Sequence, residues 1–175
     1  PLSLPDDWVT GSTTGDFSQL ASSLRQFDRE LERDKLFAVL KLNLNDHWRL
    51  DSSLSYEEKQ GTSDTAGAIY TDAASGDAAL LPRPVDYRTT EFDLGLAYSG
   101  GKLTLEGRLD YSDFDNKDDI LVWENPYISG NPESAGGLGQ ASDNEQLQGR
   151  ITGQYIFTPG ARLQFDGSYA VAEQD

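Results

Sequence analysis

Acidic and aromatic side chains are concentrated between Asp110 and Tyr127, where the sequence reads DYSDFDNKDDILVWENPY. Asp113, Asp115 and Asp118 present carboxylate oxygens at short spacing, and such oxygens are the ligands that hard cations such as Ca²⁺ prefer. The spacing of an EF-hand loop, with its Gly and distal Glu, is not met. A solvated acidic loop is therefore favoured, and the three aspartates are only metal-site candidates. We expect the apolar run ILVWENPY to fold this loop back on itself or to dock a partner.

Few other side chains could perform chemistry. His47 is the single histidine and lies beside Trp48 in a short turn, where a surface position is favoured over a role as haem ligand. Glu91 and Asp93 share a strand face, yet nothing singles them out as the acid and base of a glycosidase. The chain has no cysteine and no G-x-S-x-G segment, so neither thiolate chemistry nor a hydrolase elbow is predicted. We expect a protein that is not an enzyme.

Charge and hydropathy narrow the classes of partner. Lys and Arg number 14 against 30 Asp and Glu, and the net charge of -16 repels nucleic-acid phosphates. No run approaches the roughly 18 consecutive apolar residues of a membrane-spanning helix, but the strands of a transmembrane β-barrel need only about ten alternating residues.

Without cysteine there is no C-x-x-C-H motif, so any haem would have to arrive in a partner protein. The chain starts with Pro and contains no Met, so either a leader was removed or the chain is a piece of a longer protein. Its last residues, VAEQD, follow an alternating segment with no closing element, which favours a piece of a longer protein.

Six segments alternate apolar and polar residues with the period of a β-strand. They form three pairs, with short turns near Asn45, at residues 99–102 and near Pro159. The segments between the pairs are long, and we expect loops over residues 57–86 and 112–144. Short turns at one end and long loops at the other are typical of bacterial outer-membrane barrels.

Each segment has one uncharged and one charged face. The uncharged face predicts contact with lipid through Trp48, Leu50, Leu54, Tyr56, Leu94, Leu96, Tyr98, Leu103, Leu105, Leu109, Tyr111, Ile151, Tyr155, Phe165 and Tyr169. The charged face predicts contact with a lumen through Arg49, Asp51, Glu91, Asp93, Glu106, Arg108, Asp110, Arg150, Arg162 and Asp166. Aromatic residues near both ends of the uncharged face are typical of membrane girdles. So many inward charges suit a wide lumen better than a small barrel filled by side chains.

Residues 1–32 form an N-terminal segment ahead of the strands. Its apolar residues recur with helical spacing at Leu20, Leu24, Phe27 and Leu31. With Asp16 as a plausible N-cap, this spacing predicts a short amphipathic helix over residues 16–31. Residues 33–175 are then predicted to form a partial all-β transmembrane barrel of three antiparallel hairpins.

Three stretches resemble the MtrB/PioB family of decahaem-associated outer-membrane barrels. They are WVTGSTTGDFSQLASSLRQFDRELERDKL at residues 8–36, LPRPVDYRTTEFDLGLAYSG at residues 81–100 and LDYSDFDNKDDILVWENPY at residues 109–127. The stretches follow the family's order and cover most of the chain. Some members also carry a C-x-x-C near their N-terminus, and this chain has none.

The resemblance implies a barrel of roughly two dozen or more strands in the bacterial outer membrane, to which this chain contributes an internal part. It also implies that the barrel insulates a periplasmic multihaem cytochrome, which carries the haem, and holds an extracellular cytochrome at its outer mouth. Electrons would then cross the outer membrane, and this chain would bind no cofactor directly. The residues leave two alternatives open, namely a general diffusion porin and a soluble β-sandwich carbohydrate-binding module.

Overall fold

The computed structural model describes residues 2–71, 76–127 and 135–174, and these residues are mostly in strands. The strands are β1 (Leu31–Asn43), β2 (Trp48–Tyr70), β3 (Gly76–Gly100), β4 (Leu103–Asn116), β5 (Ile120–Glu124), β6 (Ala135–Gly139), β7 (Asn144–Thr158) and β8 (Ala161–Gln174). Helical structure among these residues is confined to a 3-10 turn at Thr14–Asp16 and to α1 at Leu20–Ser23. No described helix has the length and apolar character needed to cross a membrane.

Six of the strands form one sheet in the order β1-β2-β3-β4-β7-β8, and β5 and β6 form a separate pair. The ladders from β3 to β8 within this sheet are antiparallel. The turns close as their residues predict: the Asn45 side chain accepts hydrogen bonds from the amides of His47 and Trp48, and Gly101 adopts a positive φ of 47°. The prediction of three antiparallel hairpins in one sheet is therefore confirmed.

The six-stranded sheet is open, with β1 and β8 at its two edges. Large apolar side chains of these two edge strands remain exposed on its surface. Tyr169 on β8 is 75% exposed, and Leu36 on β1 is 64% exposed. Exposed apolar area of this extent indicates that lipid or protein covers the sheet.

The chain divides into two compact units. The first comprises Pro1–Glu32, Gln60–Asp86 and Lys117–Ala141, and the second comprises Arg33–Lys59, Tyr87–Asn116 and Ser142–Asp175. The second unit contains the three hairpin turns of the six-stranded sheet. The first contains the N-terminal segment, the β5–β6 pair and the remaining parts of β2 and β3.

Trp123 lies at the centre of the first unit. Its side chain is 6% exposed, and its Nε1 donates a hydrogen bond to the carbonyl oxygen of Ala68 at 3.0 Å. Gly67 and Gly136 leave room for the ring, because a Cβ added at Gly136 would lie 2.3 Å from a ring carbon of Trp123. Leu2 joins the strand of Trp123 through a parallel bridge. The apolar run ILVWENPY thus packs within its own unit, which is one of the two outcomes expected for it.

Aromatic contacts hold the N-terminal segment on this unit. The ring centroid of Phe17 lies 5.0 Å from that of Trp8 and 5.0 Å from that of Tyr127. Trp8 Nε1 also donates a hydrogen bond to the carbonyl oxygen of Pro126 at 3.2 Å. Tertiary packing, rather than a regular helix, therefore orders most of this segment.

The predicted amphipathic helix over residues 16–31 is wrong in extent. Only Leu20–Ser23 is α-helical, Leu24 already has extended backbone angles, and β1 begins at Leu31. A single turn gains too few hydrogen bonds to propagate, so packing and strand pairing decide the conformation of the rest. Asp16 is also not the N-cap of this helix, since it lies in the preceding 3-10 turn and Gln19 holds the cap position.

The prediction of loops over residues 57–86 and 112–144 is also wrong for most of the described residues. β2 continues to Tyr70, β3 begins at Gly76 and β4 continues to Asn116. Backbone hydrogen bonds between neighbouring strands do not require an apolar face, so a ladder can extend where the alternation of polarity has ended. Residues 72–75 and 128–134 of these segments lie outside the described residues.

Candidate functional site

Charged side chains of the second unit meet in a hollow of about 780 Å³ on one face of the sheet. Its charged lining residues are Lys41, Arg49, Asp51, Asp93 and Arg108. Gly95 forms part of the hollow, where an added Cβ would lie 3.8 Å from the Asp51 carbonyl oxygen and 3.9 Å from Arg108 Cγ. The structure thus brings together four of the residues predicted to face a lumen, together with Lys41.

Ion pairs connect charged residues along and across the strands. They are Arg49–Asp51 at 2.9 Å, Arg108–Glu106 at 2.6 Å and Arg150–Asp166 at 2.8 Å. Side chains two residues apart on a strand point to the same face. The pairs therefore place six of the predicted residues on the charged face of the sheet.

The remaining charged residues follow the same alternation. Glu91, Asp93 and Asp110 line a second hollow of about 250 Å³, and Asp93 accepts a hydrogen bond from Ser53 Oγ at 2.6 Å. Arg162 lies two residues before Gln164, whose amide donates to the side-chain oxygen of Gln154 on β7. All ten predicted residues are thus located on strands of the second unit with one consistent alternation.

The metal-site candidates lie in different surroundings from those expected. Asp113 and Asp115 belong to β4 rather than to a loop, and they line a hollow of about 210 Å³ with three further carboxylates. Asp118 follows the strand and belongs to the first unit. Across residues 2–71, 76–127 and 135–174, no group of three or more His, Cys, Asp or Glu side chains is placed to hold a metal ion.

The opposite face of the same strands carries an apolar groove of about 700 Å³. Its large apolar lining residues are Leu94, Leu96, Leu109, Ile151 and Tyr169, all predicted to face lipid. Gly107 and Gly149 lie among these residues and have no side chains, so the surface is lower at these two positions. A Cβ added at either would meet nothing within 4 Å. On the same face Gly153 lies directly between Leu105 and Phe165 in the ladder.

Other residues predicted to face lipid occupy matching ladder positions. Leu103 is opposite Tyr155, and Tyr98 is opposite Leu105. Tyr111 continues this face toward the end of β4 that is remote from the turn. Leu50, Leu54 and Tyr56 alternate along β2 with the charged residues described above.

Aromatic rings gather at the turns of the first two hairpins. Trp48 and Tyr98 have ring centroids 5.0 Å apart, and His47 lies 5.9 Å from Tyr98. His47 Nδ1 is 3.0 Å from the carbonyl oxygen of Ser99. His47 is therefore an exposed member of an aromatic cluster, as the favoured surface interpretation requires.

Sequence reasoning missed two residues of the charged face. Phe37 and Val39 lie on the same face of β1 as Lys35 and Lys41, and Val39 lines the large hollow with Lys41. The signal was present in the run LFAVL, whose apolar residues occupy both faces of the strand. A strict alternation of polarity would have required polar residues at these two positions.

The strand pattern agrees with comparisons with known proteins. The whole chain, residues 1–175, matches the family described as "Putative outer membrane beta-barrel porin, MtrB/PioB". The chain belongs to the MtrB/PioB family. It is also similar to "Outer membrane protein MtrB" of Shewanella baltica (strain OS185), with 25% identity over 158 residues. That match covers 88% of this chain and 22% of the relative, so the chain spans about a fifth of the relative's length.

Membership of the MtrB/PioB family assigns the chain to the outer membrane and to a β-barrel. The predicted family, fold class and location are therefore confirmed. The open six-stranded sheet is consistent with part of such a barrel. Membership of this family also excludes the alternative of a soluble β-sandwich module.

Proposed function

We propose that the complete MtrB/PioB protein forms a porin-like sheath that houses a multihaem c-type cytochrome and lets electrons cross the outer membrane. The charged face of the sheet lines the lumen, and the apolar face meets lipid. The observation that carries this proposal is the separation of ion-paired charges from large apolar side chains on opposite faces of one open sheet. The resemblance to the family supplies the cytochrome as occupant.

The polar face has the chemistry of a surface that contacts another protein. Side chains of Arg150 and Asp166 are each 53% exposed although they are paired, so their charges remain available to a partner. Charged groups of this kind orient and select a partner more than they increase its affinity. The haem belongs to the partner, and an extracellular cytochrome at the outer mouth is the second partner that the resemblance implies.

Crosslinking in the full-length protein tests the assignment of the two faces. Photoreactive residues at positions 108 and 150 should form adducts with a haem-staining protein, because both positions would line the lumen. The matched controls are positions 105 and 151 on the opposite face of β4 and β7, which should give lipid adducts instead. Haem-stained adducts at 108 and 150 alone would support the sheath.

A general diffusion porin predicts the opposite result. It would yield no haem-stained adduct at position 108 or 150, and reconstituted full-length protein would pass small solutes freely. That outcome would replace the proposed sheath. A barrel filled by a protein should instead pass solutes only after the protein has been removed.

A further inference from the structure

Two apolar residues interrupt the charged face of β1. Lys35 forms an ion pair with Glu57 on β2 at 3.6 Å, and Lys41 lines the large hollow of the charged face. Alternation along the strand places Phe37 and Val39 between these lysines on the same face. Phe37 is 62% exposed and Val39 is 51% exposed. They form an exposed apolar pair within a charged surface.

The apolar pair adjoins the hollow of about 780 Å³. Val39 is itself a lining residue, and small residues, among them Ser53 and Gly95, line the hollow on β2 and β3. A Cβ at Gly95 would stand within 4 Å of both neighbouring strands, so glycine keeps the hollow open. A projection from a partner could therefore enter beside Phe37 and contact Val39.

The charges around the hollow leave one cation available. Arg49 is paired with Asp51, and Arg108 is paired with Glu106. Lys41 forms no ion pair with any residue that the structure describes. The hollow thus combines an apolar edge with an unpaired ammonium group, and its chemical complement is an apolar side chain next to a carboxylate.

Contact with water alone would be unfavourable for the exposed apolar pair of Phe37 and Val39. Leaving apolar area in water forfeits about 25 cal/mol for each Å² that could be buried. In protein interfaces, an apolar centre surrounded by polar and charged residues supplies most of the binding energy. Phe37 and Val39, bordered by Lys35 and Lys41, have this arrangement.

We infer that Phe37, Val39 and Lys41 form a docking patch for the protein enclosed in the barrel, a multihaem cytochrome under the proposed function on which this inference rests. The cytochrome presents an apolar side chain flanked by a carboxylate to the patch. The charged residues elsewhere on the face orient the cytochrome, whereas the patch retains it.

A double substitution in the full-length protein tests the apolar part of the patch. Phe37→Ser with Val39→Ser should weaken retention of the haem-staining cytochrome that co-purifies with the unaltered barrel by about tenfold or more. The matched control is Gln154→Ser with Gln164→Ser, a pair on the same face of β7 and β8, which should retain the cytochrome. Heat-modifiable gel mobility should be unchanged in both variants, because none of the four side chains would meet lipid.

Substitutions at Lys41 test the charge. Lys41→Glu should weaken retention by about tenfold, and this loss should diminish at high salt because screening reduces the repulsion. Lys41→Arg should retain the cytochrome at every salt concentration.

The results separate the patch from the proposed function. If the unaltered barrel retains the cytochrome and the double serine variant retains it equally well, the patch is refuted and the sheath stands. If the unaltered barrel carries no haem-staining partner, the sheath itself is refuted. A photoreactive residue at position 37 that links only to another part of its own chain would also overturn the patch.

Discussion

Asp93 of β3 and Asp110 of β4 lie directly opposite each other in the antiparallel ladder. Both carboxylates line one hollow with Glu91, while the nearby Arg108 makes its closest ion pair with Glu106. Like charges directly opposite each other destabilise a strand pair. The charged face therefore contains a local repulsion that the folded sheet has to accommodate.

Replacing Asp110 with Asn should relieve this repulsion. We expect Asp110→Asn to raise the free energy of unfolding of the full-length barrel by a few tenths of a kcal/mol, up to about 1 kcal/mol. Urea-dependent unfolding in lipid vesicles would measure the change.

Asp166→Asn is the matched control, because it removes the exposed partner of Arg150 and should lower the free energy of unfolding by about 0 to 1 kcal/mol. A loss of stability in Asp110→Asn that equals or exceeds the loss in Asp166→Asn would contradict the repulsion between the two aspartates.

The two faces should differ in their tolerance of charge. Leu105 is predicted to meet lipid near the middle of the membrane, so Leu105→Arg should cost about 2 to 4 kcal/mol in the complete barrel. Glu106→Arg exchanges one solvated charge for another and loses an exposed pair with Arg108, which is worth about 1 kcal/mol at most. Heat-modifiable mobility after refolding in lipid would report both.

The same contrast should hold for Ile151 against Arg150, which are neighbours on β7. Ile151→Arg should impair refolding, whereas Arg150→Glu should not. Equal tolerance of charge at positions 105 and 106 would mean that neither face meets lipid.

Local alternation was sufficient to predict the hairpins and the two faces, because strand geometry repeats every two residues. Leu105 and Glu106 could be assigned to faces from their immediate neighbours alone. The environment of Trp123 could not be predicted from its immediate neighbours, since it depends on Gly67 and Gly136, which are distant in sequence. Phe37 differs from Trp123, because local alternation with Lys35 and Lys41 places it on the charged face although its residue type suggests burial.

Two glycines of β6 should differ in their tolerance of a side chain. An added Cβ at Gly136 would lie 2.3 Å from the ring of Trp123, whereas one at Gly139 would meet nothing within 4 Å. We expect Gly136→Val to destabilise the first unit by about 1 to 3 kcal/mol, since overpacking displaces the ring. Tryptophan fluorescence and limited proteolysis of the full-length protein would detect the change.

Gly139→Val is the control for this substitution, because it adds the same side chain to the same strand in open space. It should leave protease resistance unchanged. If both variants lose resistance to the same extent, the effect arises from the strand backbone and not from contact with Trp123.

The turn before α1 should respond to acid through Asp16. Hydrogen bonds from the Thr13 amide at 2.8 Å and the Thr13 hydroxyl at 3.2 Å, together with one from the Ser12 amide, hold the pKa of the Asp16 carboxyl below its ordinary value. A lowered folded pKa means that this stabilisation is fully present above the unfolded pKa of about 4. It is lost as the pH falls through the folded pKa. Hydrogen exchange of the peptide covering residues 11–17, corrected for intrinsic pH dependence, should therefore show loosening only in acid.

Asp16→Asn separates this cause from a general effect of acid. Asparagine retains an acceptor oxygen but cannot titrate, so the peptide should exchange faster than in the unaltered protein at neutral pH and should show no acid transition. Asp6→Asn, a substitution in the same segment, should leave the transition in place. A transition that persists in Asp16→Asn would assign the acid response to another carboxylate of the first unit.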